Sequence, residues 1–203
     1  VAEGALKGTD RLLQIVNAML DVVKLDTQTL QPHLEQITLA PILAQMQTEY
    51  RRDLEERKIS LTLDESLREM PIILADPQLL QKAFDAIVQN SIKFTPDGGA
   101  VRIAASTVKD ERMGACVEVR IRDTGIGIDP VNHKVIFEKL YQLGKVELHS
   151  SGRTKFRGGG PGLGLAIAAG IIRAHKGRVW VESEGYDEEK LPGSTFFVRI
   201  PAL

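Results

Sequence analysis

Two runs that alternate apolar and polar residues, Val101 to Val108 and Cys116 to Ile121, lie so close together that they read as neighbours in one sheet. Alternation at period two turns one face of each run toward a core and the other toward solvent. The short connection around Lys109 to Gly114 suits a hairpin, and a hairpin makes its strands antiparallel. Parallel neighbours would need a crossover of a dozen residues or more. The last two runs, Val179 to Glu182 and Thr195 to Ile200, are joined by an acidic, glycine-containing loop. Hairpin-like neighbours thus outnumber strand-helix-strand units. The expected architecture is α+β: a two-layer sandwich of one mixed, mostly antiparallel sheet and three main helices, not a doubly wound parallel sheet.

The remaining segments fill in that plan. From about Ala5 to Leu25, Leu12, Leu13, Val16, Met19, Leu20 and Val23 recur at three- and four-residue steps, as on an amphipathic helix. Such a stripe either packs on its own domain or faces a bundle or dimer partner; its breadth favours the partner. Thr27 to Pro32 is polar and reads as a linker, dividing the chain into 1–31 and 32–203. Gln36 to Leu39 is a short strand. Pro41 opens a helix whose buried face is Ile42, Leu43, Met46 and Tyr50. Ile59, Leu61 and Leu63 alternate as a strand, and Ile72 to Leu74 is a brief apolar run. Asp76 caps a helix with Pro77 just inside it, running to Pro96. Asp123 to Gly164 is largely loop, with a short helical stretch near Val131 to Leu140. So long an irregular segment is usually a functional lid or disordered. Leu163 to Ala174 is a helix with small and apolar residues around its surface, which places it inside.

Composition sets outer bounds. A chain of 203 residues with formal net charge −1 carries no bulk attraction to nucleic acid or anionic lipid. The single cysteine, Cys116, cannot form an internal disulfide, and its apolar strand makes it a buried structural thiol. A reducing, cytoplasmic setting fits. The chain starts without Met inside a helical pattern and reads as part of a longer protein, whose membrane attachment is left open.

Three stretches carry chemistry. Asn90 and Lys93 share a face of the helix before Pro96. An amide oxygen completes a magnesium shell made of phosphate oxygens and water, and a lysine neutralises phosphate. Either residue alone is more often a solvated surface group. Asp123 follows an apolar strand and precedes Thr124-Gly125-Ile126-Gly127. Its carboxylate can accept from the amino group of adenine, and the glycines let the backbone approach a flat ring. The plain alternative is a turn after a strand. Gly158, Gly159, Gly160, Pro161, Gly162 and Gly164 lead into a helix whose first amides form an anion site. The plain alternative there is a hinge. Neither a dinucleotide fingerprint nor a Walker loop is present.

Taken in order, Asn90 with Lys93-Phe94-Thr95-Pro96, Asp123-Thr124-Gly125-Ile126-Gly127, Phe137, and Gly160-Pro161-Gly162-Leu163-Gly164-Leu165 resemble the N box, first glycine box, F box and second glycine box of sensor histidine kinases. Gly193-Ser194-Thr195-Phe196 resembles the start of that family's terminal strand. The resemblance covers essentially the whole chain. It implies a Bergerat-type ATP-binding fold over 32–203, preceded by the second helix of a dimerisation and phosphotransfer hairpin. It implies Asn90 as magnesium ligand, with Lys93 and Phe94 beside the nucleotide. Asp123 would bind the adenine amine, assisted by Gly125, Gly127 and Thr195 through backbone or water. Gly160, Gly162, Leu163 and Gly164 would surround the phosphates. Phe137 and Tyr141 would anchor an ATP lid, with Lys145, Arg153, Lys155 and Arg157 reaching the γ-phosphate. The implied function is transfer of that phosphoryl group from Mg-ATP to a histidine upstream, and then to a response regulator.

Two departures from that pattern bear on mechanism. Ala86 stands four residues before Asn90, where the family often has a second Asn and hydrolysing relatives (the gyrase, chaperone and mismatch-repair ATPases) have a glutamate. No histidine is followed by an acidic residue: His33, His133, His149 and His175 precede Leu, Lys, Ser and Lys. An ATPase of the same fold and a degenerate nucleotide-binding or dimerisation module are the rival readings.

Overall fold

The computed structural model describes residues 2–141, 154, 156 and 162–203. Lys145, Arg153, Lys155, Arg157, Gly158, Gly159, Gly160 and Pro161 lie outside them.

The helix α1 (Ala2–Asp26) is followed by β1 (Glu35–Ile37), α2 (Ala40–Glu49), α3 (Arg51–Glu56), β2 (Ser60–Leu63) and β3 (Ile73–Ala75). Then come α4 (Pro77–Phe94), β4 (Ala100–Asp110), β5 (Gly114–Asp123), α5 (Gly164–Ala174), β6 (Arg178–Glu182) and β7 (Ser194–Pro201). The five-stranded sheet runs β2-β4-β5-β7-β6, and only β2 against β4 is parallel. The expected hairpin is β4–β5, in register from Val101 opposite Asp123 to Asp110 opposite Gly114. A separate antiparallel pair, β1–β3, lies beside it. The fold is therefore the α+β sandwich that the alternation predicts.

One face of the sheet is dry. Val101, Ile103 and Ala105 from β4, Val117, Val119 and Ile121 from β5, and Phe196, Val198 and Ile200 from β7 are buried. Helix α4 lies against them through Leu80, Ala83, Phe84, Ile87, Val88 and Ile92, all fully buried. Its start is fixed locally: Asp76 accepts the Leu79 N–H at 3.0 Å, and Pro77 occupies the first turn, where no N–H is needed. Helix α5 is buried by Ile167, Ala168, Ala169, Gly170, Ile171 and Ile172. The buried His175 closes its end, with Nδ1 2.8 Å from the Ile171 carbonyl and Nε2 accepting the Asp76 N–H at 2.9 Å. That histidine is committed to structure at both ring nitrogens.

The single helix expected after Pro41 is two, α2 and α3, separated at Tyr50. Tyr50 is buried, and its hydroxyl donates to Asp85 on α4 at 2.5 Å. The stretch near Val131 to Leu140 holds two 3₁₀ turns, Pro130–Asn132 and Val135–Phe137. Helix α1 packs on the core formed by the later elements, but by a different face from the conspicuous stripe. Ala18, Val22 and Leu25 rest on the core, while Leu12, Leu13, Val16, Met19, Leu20 and Val23 stay exposed. Leu25 fills the notch left by Gly170, where a Cβ would come within 2.5 Å of Leu25 Cδ1. Asp21 pairs with Lys82 and Asp26 with Lys139. Among the described residues, no helix is long and apolar enough to cross a membrane.

Candidate nucleotide-binding site

The last turns of α4 are where the separate stretches meet. The Phe94 carbonyl accepts the Ile126 N–H at 3.1 Å, stitching the loop after β5 to the helix end. A Cβ on Gly164 would sit 3.6 Å from the Ala86 methyl, so the start of α5 rests on α4 one turn before Asn90. Ala86, Asn90 and Lys93 fall on one helix face. Asn90, the Asp123 loop and the first turn of α5 therefore surround the same stretch of α4.

Asp123 ends β5, between Val101 and Ser194 in the register. It is 3% exposed. Its Oδ1 accepts the Gly125 N–H at 2.9 Å and the Ser194 N–H at 3.2 Å. Burial pushes its pKa up to about 6, and the hydrogen bonds from Gly125 and Ser194 only partly offset that cost. At neutral pH it is a buried carboxylate with acceptor capacity left for a ligand's donor.

The glycines hold this corner together. At Gly125 a Cβ would lie 2.3 Å from the Phe94 carbonyl oxygen and 2.8 Å from Asp123 Oδ1. Gly127 has φ +73°, and a Cβ there would meet the Gly185 oxygen at 2.0 Å. Gly125 also accepts the Gly193 N–H at 2.9 Å, which ties the loop to the start of β7.

Lys93 is desolvated, and burial lowers its pKa. Its Nζ lies 5.0 Å from the Phe94 ring centroid. Phe137 is anchored in the core, edge-on to Phe196 with centroids 6.3 Å apart. The Tyr141 hydroxyl donates to Asn132 Oδ1 at 2.6 Å. The Leu140 N–H donates to the Gly162 carbonyl at 2.9 Å, so the two ends of the 141–161 segment are joined. Leu163 is buried just before the first turn of α5.

Three residues that the sequence did not single out belong here. Ser194, not Thr195, is the residue against Asp123. Alternation along β7 buries Ser194, Phe196, Val198 and Ile200, and puts Thr195 on the other face beside Arg122 and Glu182. The parity of the strand contained that information. Ser91 is 1% exposed, and its Oγ has no hydrogen-bond partner among the described residues. A buried hydroxyl without a partner, next to Asn90, fits a polar ligand or a water held with one.

Arg57 is the third. Its guanidinium is buried and donates to the carbonyls of Ile92 (2.7 Å), Thr95 (2.6 Å) and Thr154 (2.7 Å), and to Asp97 at 2.9 Å. It also lies 5.9 Å from the Phe156 ring. Residues 154 and 156 are thereby fastened to the end of α4. Nothing in local pattern marks an arginine between a helix and a strand for this task. Arg57→Ala strands several acceptors and the Asp97 carboxylate, so we predict a loss of about 3 kcal/mol in urea unfolding. Arg57→Lys should recover little, because one ammonium cannot match the planar fork. Unfolding free energies within about 0.5 kcal/mol of wild type would refute this role.

The donor set suits a magnesium nucleotide better than a bare metal. Among the described residues no group of three His, Cys, Asp or Glu side chains gathers to cage a cation. Asn90 offers a single hard oxygen, which fits a metal whose other ligands are phosphates and waters.

Known proteins share this fold. Residues 75–203 match the family described as histidine kinase-, DNA gyrase B-, and HSP90-like ATPase. Drug sensory protein A of Synechocystis sp. is 32% identical over 189 residues, which cover 90% of this chain and 27% of that protein. Sensor histidine kinase WalK of Bacillus subtilis is 27% identical over 185 residues, 86% of this chain and 27% of the relative. The chain thus spans about a quarter of the length of these curated relatives. Among solved structures, full-length ShkA in complex with AMPPNP superposes with a TM-score of 0.76 at 27% identity, covering 95% of this chain and 36% of that one. With the fold and the family match in agreement, the chain belongs to the histidine kinase-, DNA gyrase B- and HSP90-like ATPase family.

Proposed function

We propose that this chain is the catalytic portion of a sensor histidine kinase. It binds Mg-ATP, and its γ-phosphoryl group goes to a histidine upstream in a longer protein and then to the receiver domain of a response regulator. The observation that carries this reading is the meeting of Asp123, Asn90 and the first turn of α5 on one stretch of α4. In this reading Asp123 accepts from the adenine amine, Ser194 and Gly125 hold the carboxylate, and Gly162, Leu163 and Gly164 present main-chain amides to the phosphates. Magnesium, held by Asn90, supplies charge neutralisation on the phosphate oxygens. Lys93 adds a partly dry cation to the same end. Phosphoryl transfer asks a protein chiefly for positioning and electrostatics, and these residues provide both.

The kinase reading is favoured over a hydrolase of the same fold. The position four residues before Asn90 is the Ala86 methyl facing Gly164, and the adjacent Asp85 is held by Tyr50. Among the described residues, no carboxylate stands there to activate water. The exposed stripe of α1, Leu12 to Val23, supports the assignment of 1–31 to a dimerisation hairpin and of 32–203 to the ATP-binding domain. A cytoplasmic location follows from the same reading.

Calorimetric titration tests the metal role. We predict that ATP binds about tenfold more tightly with magnesium than with EDTA, and that Asn90→Ala erases most of that difference. Binding by wild type that ignores magnesium would count against the proposal, and brisk steady-state phosphate release would favour a hydrolase.

A further inference from the structure

We propose that the cavity between the 3₁₀ turn Val135–Phe137, the C-terminal half of α5 and the edge strand β6 binds a small organic phosphate, separately from the nucleotide. Its volume is about 310 Å³, at the lower end of the range for small-molecule sites. Phe137, Ala169 and Val179 give it an apolar lining, and Lys134, Arg173 and Arg178 bring cations to it. Among the described residues, no Asp or Glu lines it. The chain as a whole has 26 Lys and Arg against 27 Asp and Glu, so this one-signed lining is a local departure from composition.

The cations are poorly compensated. Among the described residues, Lys134 and Arg173 make no ion pair. Arg178 comes only within 3.9 Å of Asp110, a carboxylate that Arg199 already engages at 2.6 Å. Three like charges around one small volume repel one another, and a bound dianion turns that repulsion into attraction. Arginine forks match phosphate oxygens in pairs, and the apolar lining selects an ester with a hydrocarbon body over a bare ion. Lys134 immediately precedes the turn that leads into the 141–161 segment, and Arg173 lies in the last turn of the helix that follows that segment. An occupant would clamp those two elements together. Among the described residues, Phe137 is the one nucleotide-site residue that also lines this cavity; Arg173 and the first turn of α5 are at opposite ends of an 11-residue helix.

The chain carries its own reporter. Trp180 is the single tryptophan, it lines the cavity, and the Arg178 guanidinium lies 4.6 Å from its ring centroid. Phenyl phosphate should be titrated into the protein saturated with ADP while Trp180 emission is followed. We expect a saturable change, with inorganic phosphate and phenol each binding at least about tenfold more weakly. The Lys134→Gln/Arg173→Gln double variant should weaken phenyl phosphate binding by about tenfold or more and leave ADP affinity unchanged. If that variant is misfolded by circular dichroism, Arg178→Gln alone should weaken binding in the same direction. Absence of a saturable change, loss of the signal as ADP is raised, or wild-type binding by the charge-neutral variants would overturn the proposal. ADP affinity is measured independently on the same samples, so failure here leaves the nucleotide reading standing.

Discussion

Asp123→Asn is expected to weaken ATP binding about a hundredfold while making the nucleotide-free domain more stable near neutral pH. The affinity loss follows from donor and acceptor counting. The Asn oxygen can still accept from Gly125 and Ser194, which turns its NH₂ toward a ligand amine that is also a donor. A hydrogen bond to a buried charge contributes roughly 1.5–3 kcal/mol, or about 10- to 150-fold in affinity. The gain in stability follows from burial. The folded pKa of about 6 lies above the ordinary value of 3.8. Between those values the folded state holds the proton more tightly than the unfolded state. The favourable contribution is complete below the unfolded pKa and is lost as pH rises through the folded one, a cost of about 3 kcal/mol by pH 7. The variant lacks that slope. Wild type minus variant in unfolding free energy should therefore fall between pH 4 and pH 7. ATP affinity of the wild type should also drop below pH 6 more steeply than that of the variant, because a ligand donor favours the ionised carboxylate. Equal affinities for ATP at pH 7.5 would remove Asp123 from the site.

Gly125→Ala should be as damaging, by a route that involves no charge. The added methyl would lie 2.3 Å from the Phe94 carbonyl oxygen, which is backbone and cannot swing away. Relief requires the loop to leave α4. That sacrifices the Ile126 N–H bond to Phe94 and the Gly193 N–H bond to Gly125, and displaces Asp123. We predict a loss of 3 kcal/mol or more in denaturant unfolding, of the order of an overpacked or broken core contact, and no measurable ATP binding. Gly185→Ala is the matched control. A Cβ there meets nothing within 4 Å, so its stability should stay within about 0.5 kcal/mol of wild type. A Gly125→Ala protein with normal stability and ATP affinity would show that the close packing of loop on helix is unnecessary.

The sheet and its helices were legible in the sequence because their signals are local. Alternation between Val101 and Ile121 specifies a hairpin whatever surrounds it, and Asp76-Pro77 marks a helix start by chemistry confined to one turn. The site residues were legible for a different reason. Asn90, Asp123 and Gly164 stood out as motifs in a known order, while their meeting on α4 depends on packing that no short window contains. The break at Tyr50 arises from such packing too: its hydroxyl reaches Asp85, 35 positions away. Arg57 was invisible for the same reason, since its partners span positions 92 to 154. Ser194 differs. Strand parity would have chosen it over Thr195, because Phe196 and Ile200 are the core residues of β7 and only even positions share their face. On α1 the most obvious apolar stripe is the exposed one, and the docking face rests on Ala18, Val22 and Leu25, whose small count hid it.

A structure of this protein with magnesium and a non-hydrolysable ATP analogue would locate base, metal and phosphates at once. We expect the adenine amine within hydrogen-bonding distance of the Asp123 carboxylate, the Asn90 amide oxygen on the metal, and the phosphates at the first turn of α5. A bound analogue whose base contacts other residues, or whose metal lies away from Asn90, would contradict it.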